Sequence, residues 1–357
     1  MKLIKKKTEL FLLFLVTTGS FSFSILFAEF TLRLLKGSLT KTENLLFASH
    51  NFQPNRLVAG YPERIDANIG WVPKENITAL DRTSKSPVHT LDYGLRSTGI
   101  PIKTGNKRIM AIGDSFTWGD QVGDGETWPA YLQQKTKTTV FNAGVSGYGL
   151  DQSILRAEAL APLLRPTHIV FEFIAHDIIR CGWGKAWGLP KPYFLIKDND
   201  LVLHNVPVPS LILNTQPKLG FTRDWLGRSY LANAILFRIA PSWWLADLGY
   251  TFLEVGQQQD EVACHLIKRL KRLSHKTGIK ILLVAQYEEN LSPQEIDRTK
   301  KILACATASG ITTRDLLPLM IAMRNKGKET YSRFISWHHT ATGNQLIAEK
   351  IANKLFD

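Results

Sequence analysis

The stretch RIMAIGDSFTWGDQVGDGETWPAYL, residues 108–132, opens with an apolar run and breaks at Gly113, Asp114 and Ser115. Two readings fit the break. A tight turn uses small and polar residues for backbone freedom and local hydrogen bonds. A nucleophile at the carboxyl end of a buried strand uses the same residue types, because ligands of open α/β sheets gather outside those strand ends. The surrounding chain bears on the choice. From Lys107 onward, RIMAIG, TTVFNAGV, THIVFEFIA, IKILLVAQY and ITTRDLL read as strands. Helical spacing falls between them at 128–135, 150–163, 257–275 and 293–309, with a last segment at 344–355. Apolar strands separated by helices predict a parallel sheet covered on both faces.

Three further polar groups fall at places where such a sheet collects chemistry. NAGVSGYG (142–149) follows the second strand, AHD (175–177) follows the third, and SWHHTATGNQLIAEKIA (336–352) sets His338 and His339 just before the final helix. A serine needs a base to take its proton, and a histidine on a distant loop is the usual supplier. Acyl transfer also needs donors facing a developing oxyanion. The backbone N–H groups of Ser115 and Gly147 and a side chain at the third strand end are placed to supply them.

These four blocks, in this order, resemble the SGNH hydrolases, the GDSL-type esterase superfamily. The likeness runs from about Lys107 to Asp357. IGDSFTWG resembles the first block and NAGVSGYG the second, FEFIAHD occupies the place of the third, and HHTATGNQLIAE resembles the last. The resemblance implies a flavodoxin-like three-layer α/β/α sandwich with a central parallel sheet. It implies Ser115 as nucleophile, Gly147 as backbone oxyanion donor and His338 as base, with no cofactor and no metal. Two positions depart from the pattern. His176, followed by Asp177, stands where the family has Asn, and an imidazole can also donate to an oxyanion. Ile335 and Ser336 stand where the family places an Asp that orients the base. The Ser336 hydroxyl or a backbone carbonyl is then the candidate orienter of His338, and His339 is the alternative base.

The amino terminus reads differently. MKLIKKK precedes about 19 uncharged residues, 10–28, enough to span a bilayer. A buried core helix and a cleaved signal peptide are the rival readings. The run is long for a signal peptide, and Leu26 sits where a small residue would precede cleavage after Ala28. Lys2, Lys5, Lys6 and Lys7 favour a cytoplasmic amino terminus, and Glu29 and Arg33 are spaced to pair across one helical turn. The expectation is a single-pass protein of the bacterial inner membrane with its main domain extracytoplasmic. The expected organisation is an anchor over 1–36, a spacer over 37–105 that packs on the main domain, and a main domain over 106–357 carrying an insertion at about 178–250. The insertion's aromatics, Trp183, Trp187, Tyr193, Trp243 and Trp244, read mainly as packing residues.

Net charge is +13 and the isoelectric point near 9.6, which favours anionic surroundings such as lipid head groups or acidic glycans. Lys and Arg are scattered with no recognition-helix or zinc-finger pattern, so no nucleic-acid partner is expected. Cys181, Cys264 and Cys305 read as three buried free thiols. The anchor, DYGLRSTG (92–99) and KPYF (191–194) resemble membrane-bound members of the superfamily associated with bacterial surface polysaccharides. An acylated, O-acetyl-bearing glycan or another ester is therefore the expected substrate. A catalytically degenerate relative that binds glycan or scaffolds envelope assembly is the alternative.

Overall fold

The computed structural model describes residues 2–39, 44–45, 62–81, 83–101, 107–209, 219–244, 253–256 and 258–355. Five strands form the central sheet: β1 (Arg108–Ile112), β2 (Thr139–Asn142), β3 (His168–Phe173), β4 (Lys280–Ala285) and β5 (Thr312–Asp315). They are parallel and ordered β2-β1-β3-β4-β5. The described helices are α1 (Lys2–Leu35), α2 (Ser115–Trp118), α3 (Trp128–Thr136), α4 (Leu150–Leu164), α5 (Ala175–Arg180), α6 (Gly220–Leu226), α7 (Tyr230–Ile239), α8 (Pro241–Trp244), α9 (Gln259–Thr277), α10 (Pro293–Ala308), α11 (Leu317–Asn325), α12 (Lys328–Phe334) and α13 (Ala341–Leu355).

The strand order explains where the helices go. The step from β1 to β2 runs one way across the sheet and every later step runs the other way. Right-handed crossovers therefore send α3 to one face and α4, α9 and α10 to the opposite one. After β5 the chain returns, and α13 packs against α3. All six residues of β3 are buried, as a strand covered on both faces requires. The sheet order reverses between β1 and β3, where adjacent crossovers part and leave a crevice beyond the strand ends.

The chain divides into two compact units. One combines Met1–Pro54 with Ile212–Thr251, and the other combines Asn55–Leu211 with Phe252–Asp357. The sheet lies in the second. There, residues of the expected spacer form two hairpins, Glu63–Asp66 with Gly70–Pro73 and Thr78–Leu80 with Pro87–His89. Trp71 is fully buried, its ring edge-on to Tyr148 at 5.7 Å. The early insertion contributes the hairpin of Tyr193–Lys197 with Asp200–His204. The expected spacer at 40–43, 46–61, 82 and 102–105, the insertion at 210–218 and 245–250, the helix start at Gln257 and residues 106 and 251–252 lie outside the described residues.

The first unit holds α1, α6, α7 and α8. Within α1, Leu13–Leu35 is a run of 23 residues, long and apolar enough to cross a membrane, and none of it is buried. Glu29 and Arg33 pair at 2.7 Å.

The cysteine reading is corrected. Cys264 and Cys305 form a disulfide between α9 and α10, with Cα atoms 5.6 Å apart. Their separation of 41 residues hid the bond, because the two helices become neighbours only when laid on the same face of the sheet. Cys181 alone is a buried free thiol.

Candidate active site

β1 ends at Ile112, and the next three residues turn into α2. A Cβ on Gly113 would lie 2.5 Å from Glu172 Oε2 and from Thr117 Oγ1, so the strand can leave the sheet here only as glycine. Asp114 caps α2, its carboxylate accepting the Phe116 N–H at 2.8 Å. Ser115 follows, largely buried, with its hydroxyl 3.3 Å from Asp114 Oδ2.

The histidines arrive on a tight reversal. Ile335–Ser336 pairs with His338–His339 across Trp337, whose φ of +64° makes the bend. His338 Nε2 lies 2.9 Å from Ser115 Oγ. Its ring rests on Phe116, centroids 4.9 Å apart, and its backbone N–H donates to Gln121 Oε1 at 3.1 Å. His339 faces the other way, between the rings of Phe116 and Phe334. Burial, reinforced by neighbouring His338, pushes its pKa down to about 3. Among the described residues neither of its ring nitrogens has a hydrogen-bond partner, so the contact with the Ser115 hydroxyl belongs to His338.

Ser336 does not take the orienting place considered for it. It is exposed, and His338 Nδ1 is enclosed with no hydrogen-bond partner among the described residues. The reversal at Trp337 sets the Ser336 and His338 backbones opposite one another without directing the hydroxyl to the ring. A cleft of about 420 Å³ opens beside His338, lined by Ser84, Gln121, Glu126 and Ser336 among others.

Gly147 adopts φ +78° in the loop after β2, a conformation that favours glycine. Among the described residues, neither its N–H nor that of Ser115 has a protein acceptor. His176 stands in the first turn of α5, after β3. Its Nδ1 lies 2.5 Å from Glu288 Oε2, just beyond the end of β4. A carboxylate only accepts, so Nδ1 carries the proton in this pair. His176 then has a donor at Nε2 only as the imidazolium. His176, Glu288 and Glu295 also bring one potential ligand atom each within 4.8 Å, the group among the described residues that could hold a cation.

Several supporting residues were not legible as site components. Arg96, from DYGLRSTG, is buried and donates to the carbonyls of Trp118, Gly119 and Val122 at 2.7, 2.5 and 2.6 Å. It thereby clamps the turn that follows Ser115. Arg180 binds Asp114 at 3.0 Å, Asp177 at 2.6 Å and the Tyr148 carbonyl at 2.8 Å. Glu172 receives the Thr117 hydroxyl at 2.6 Å. Burial first, and then the Asp114 charge, push the Glu172 and Asp177 carboxyls well above their ordinary range. Two of these acids, Asp114 and Asp177, share the Arg180 guanidinium, while Glu172 is met by the Thr117 hydroxyl. The signal for Glu172 was present: it is the lone acid in a strand whose other residues after His168 are all apolar.

No family model matches the chain. Over 74 residues, 20% of its length, it is 32% identical to "Thioesterase 1/protease 1/lysophospholipase L1" of Escherichia coli strain K12. The same figures hold for the protein of that name in E. coli O6:H1. The chain spans about a third, 36%, of the length of these curated relatives. Among solved structures, the chain is similar to TesA, with 14% identity, TM-score 0.40 and coverage of 70% of this chain and 98% of that one. The acetylxylan esterase Axe2 of Geobacillus stearothermophilus gives 13%, 0.39, 71% and 95%. A lipase/acylhydrolase of Enterococcus faecalis gives 13%, 0.38, 69% and 94%.

Proposed function

We propose that this protein is a membrane-anchored serine esterase or O-acyltransferase acting on O-acyl groups, O-acetyl foremost, of a cell-envelope polysaccharide. The observation that carries the reading is the 2.9 Å contact between Ser115 Oγ and His338 Nε2 at the carboxyl edge of the sheet. Ser115 attacks the ester carbonyl as His338 takes its proton. The tetrahedral oxyanion is held by the N–H groups of Ser115 and Gly147 and by His176. His338 returns the proton to the departing alcohol, leaving acyl-Ser115 for water or a sugar hydroxyl to resolve. The stretch similar to a thioesterase and lysophospholipase supports ester or thioester chemistry. The glycan substrate rests on the membrane-bound members that the anchor, DYGLRSTG and KPYF resemble.

In this reading α1 anchors the chain in the bacterial inner membrane in a single pass. Its early lysines are cytoplasmic and the sheet unit is extracytoplasmic. The Cys264–Cys305 disulfide supports that side, since such bonds persist in oxidising compartments. The sheet unit with its flanking hairpins is the hydrolase-like domain.

One observation favours a second reading, a non-catalytic glycan-binding or scaffolding relative: among the described residues His338 Nδ1 has no orienting acid. Reaction of the purified protein with a fluorophosphonate probe separates the two. Covalent labelling at Ser115, abolished in Ser115→Ala, is the esterase outcome. A folded protein that remains unlabelled is the scaffold outcome.

A further inference from the structure

Residues 219–244, LGFTRDWLGRSYLANAILFRIAPSWW, are rich in Phe, Trp, Leu and Ile and carry three arginines against one aspartate. They form α6, α7 and α8 in the same unit as α1. The start of α7 is tied to the carboxyl-terminal part of α1 by polar contacts. The Glu29 carboxylate accepts the Ser229 hydroxyl at 2.8 Å and the N–H groups of Tyr230 and Leu231 at 3.1 and 2.8 Å. Arg33 pairs with Glu29, donates to the Arg228 carbonyl at 2.5 Å and lies over the Tyr230 ring. The chain after α1 adds a further tie, the Leu45 N–H donating to the Gly227 carbonyl at 2.6 Å.

Leu219 and Trp244 are buried, but these ties leave most of the other large apolar side chains outside. No residue of α7 is buried, although the helix is apolar nearly all round. Phe221 is 87% exposed, Ile239 73% and Trp225 65%, and Ile235, Phe237 and Trp243 are exposed with them. In water such a helix would have to bury those residues against a partner. The exposed surface of α1 continues the same character, with Phe14, Phe21 and Leu26 each more than 60% exposed. Aromatic and aliphatic side chains beside arginines are the composition of segments that lie in the membrane interface and meet anionic head groups.

We propose that residues 219–244 lie in the interface of the membrane that α1 crosses, giving the chain a second lipid contact where the span ends. The proposal rests on the reading of α1 as an anchor. Glu29 and Arg33 then act as the clasp holding α7 at that level. The two contacts together limit how the chain can pivot about its anchor, a constraint that a single helix does not provide.

The test uses the full chain in nanodiscs made from equal parts phosphatidylethanolamine and phosphatidylglycerol, with or without doxyl-labelled lipid. On a Cys181→Ser background, single cysteines at Phe221, Ile239, Leu26 and Lys300 carry an environment-sensitive fluorophore. The expected result is several-fold stronger doxyl quenching at 221 and 239 than at the exposed control position 300, with little access for aqueous iodide. Quenching at Leu26 without quenching at 221 and 239 overturns this proposal and leaves the anchor standing. Loss of quenching at Leu26 as well removes the anchor itself. Shielding of 221 and 239 from both quenchers also overturns the proposal, because a second copy of the chain then covers the surface. Glu29→Gln supplies an independent check: opening the clasp should weaken quenching at 239 while leaving Leu26 unchanged.

Discussion

His176 and Glu288 share one hydrogen bond, Nδ1 to Oε2 at 2.5 Å, across the ends of two adjacent strands. With Nδ1 turned to Glu288, the proposed oxyanion role of His176 falls to Nε2. His176→Ala should lower kcat by about 10²–10³ with little change in KM, the usual cost of one lost oxyanion donor. Glu288→Ala should lower kcat in the same direction by removing the acceptor that orients the His176 ring. The double variant should be no worse than His176→Ala alone, because Glu288 acts through His176. Additive losses in steady-state kinetics would separate the two residues and leave two backbone donors as the oxyanion site.

Arg96 holds the carbonyls of Trp118, Gly119 and Val122 behind the serine turn. Lysine is a single point charge and cannot reproduce that fork. Arg96→Lys should therefore lower kcat and slow fluorophosphonate labelling while KM changes little. Buried, charge-assisted bonds of this kind contribute roughly 1.5–3 kcal/mol each. The melting temperature should fall too, and an unchanged labelling rate in a destabilised variant would restrict Arg96 to a structural role.

Lys191 and Asp151 form an ion pair with neither side chain exposed to solvent. Lys191 also donates to the Arg180 and Trp183 carbonyls, both at 3.1 Å. Burial pushes the Asp151 carboxyl up and Lys191 opposes that push. Lys191→Met should cost about 3–5 kcal/mol by leaving a buried acid unpaired, and adding Asp151→Leu should recover much of it. Denaturant midpoints of the single and double variants provide the check.

His339 makes stability depend on pH. Its folded pKa is pushed from 6.5 to about 3, so the unfolded chain binds a proton over that interval and the folded chain does not. Its contribution is present in full above about pH 6.5 and is lost as pH falls towards about 3. At about 1.4 kcal/mol per unit, the loss reaches at most about 5 kcal/mol. His339→Leu should flatten this part of the acid limb in denaturation measured against pH. An unchanged slope would assign the loss to other groups.

The apolar runs and their spacing were enough to read the strands and the helices between them, because burial on both faces demands near-continuous hydrophobic strands in the sheet interior, while the edge strand β5, TTRD, is polar and only part-buried. The break at Gly113, Asp114 and Ser115 was legible for the same reason: polar residues end a buried strand only where it leaves the sheet. The long uncharged run near the amino terminus was equally plain. Other features depended on which parts of the chain meet. His338 and His339 are adjacent and chemically identical, and only the reversal at Trp337 turns one to Ser115 and the other into the apolar core. Cys264 and Cys305 became a pair when α9 and α10 were laid side by side. Arg96 and Lys191 carry no local signal of burial, yet folding encloses them, and the Trp118, Gly119 and Val122 carbonyls and the Asp151 carboxylate that they meet lie more than twenty residues away. The expected insertion divided for a related reason, its first half pairing beside the sheet and its helices joining α1 through Glu29. Local pattern determines which segments form and which faces are apolar. Long-range packing decides which polar groups share a low-dielectric space, and there each must find its partner.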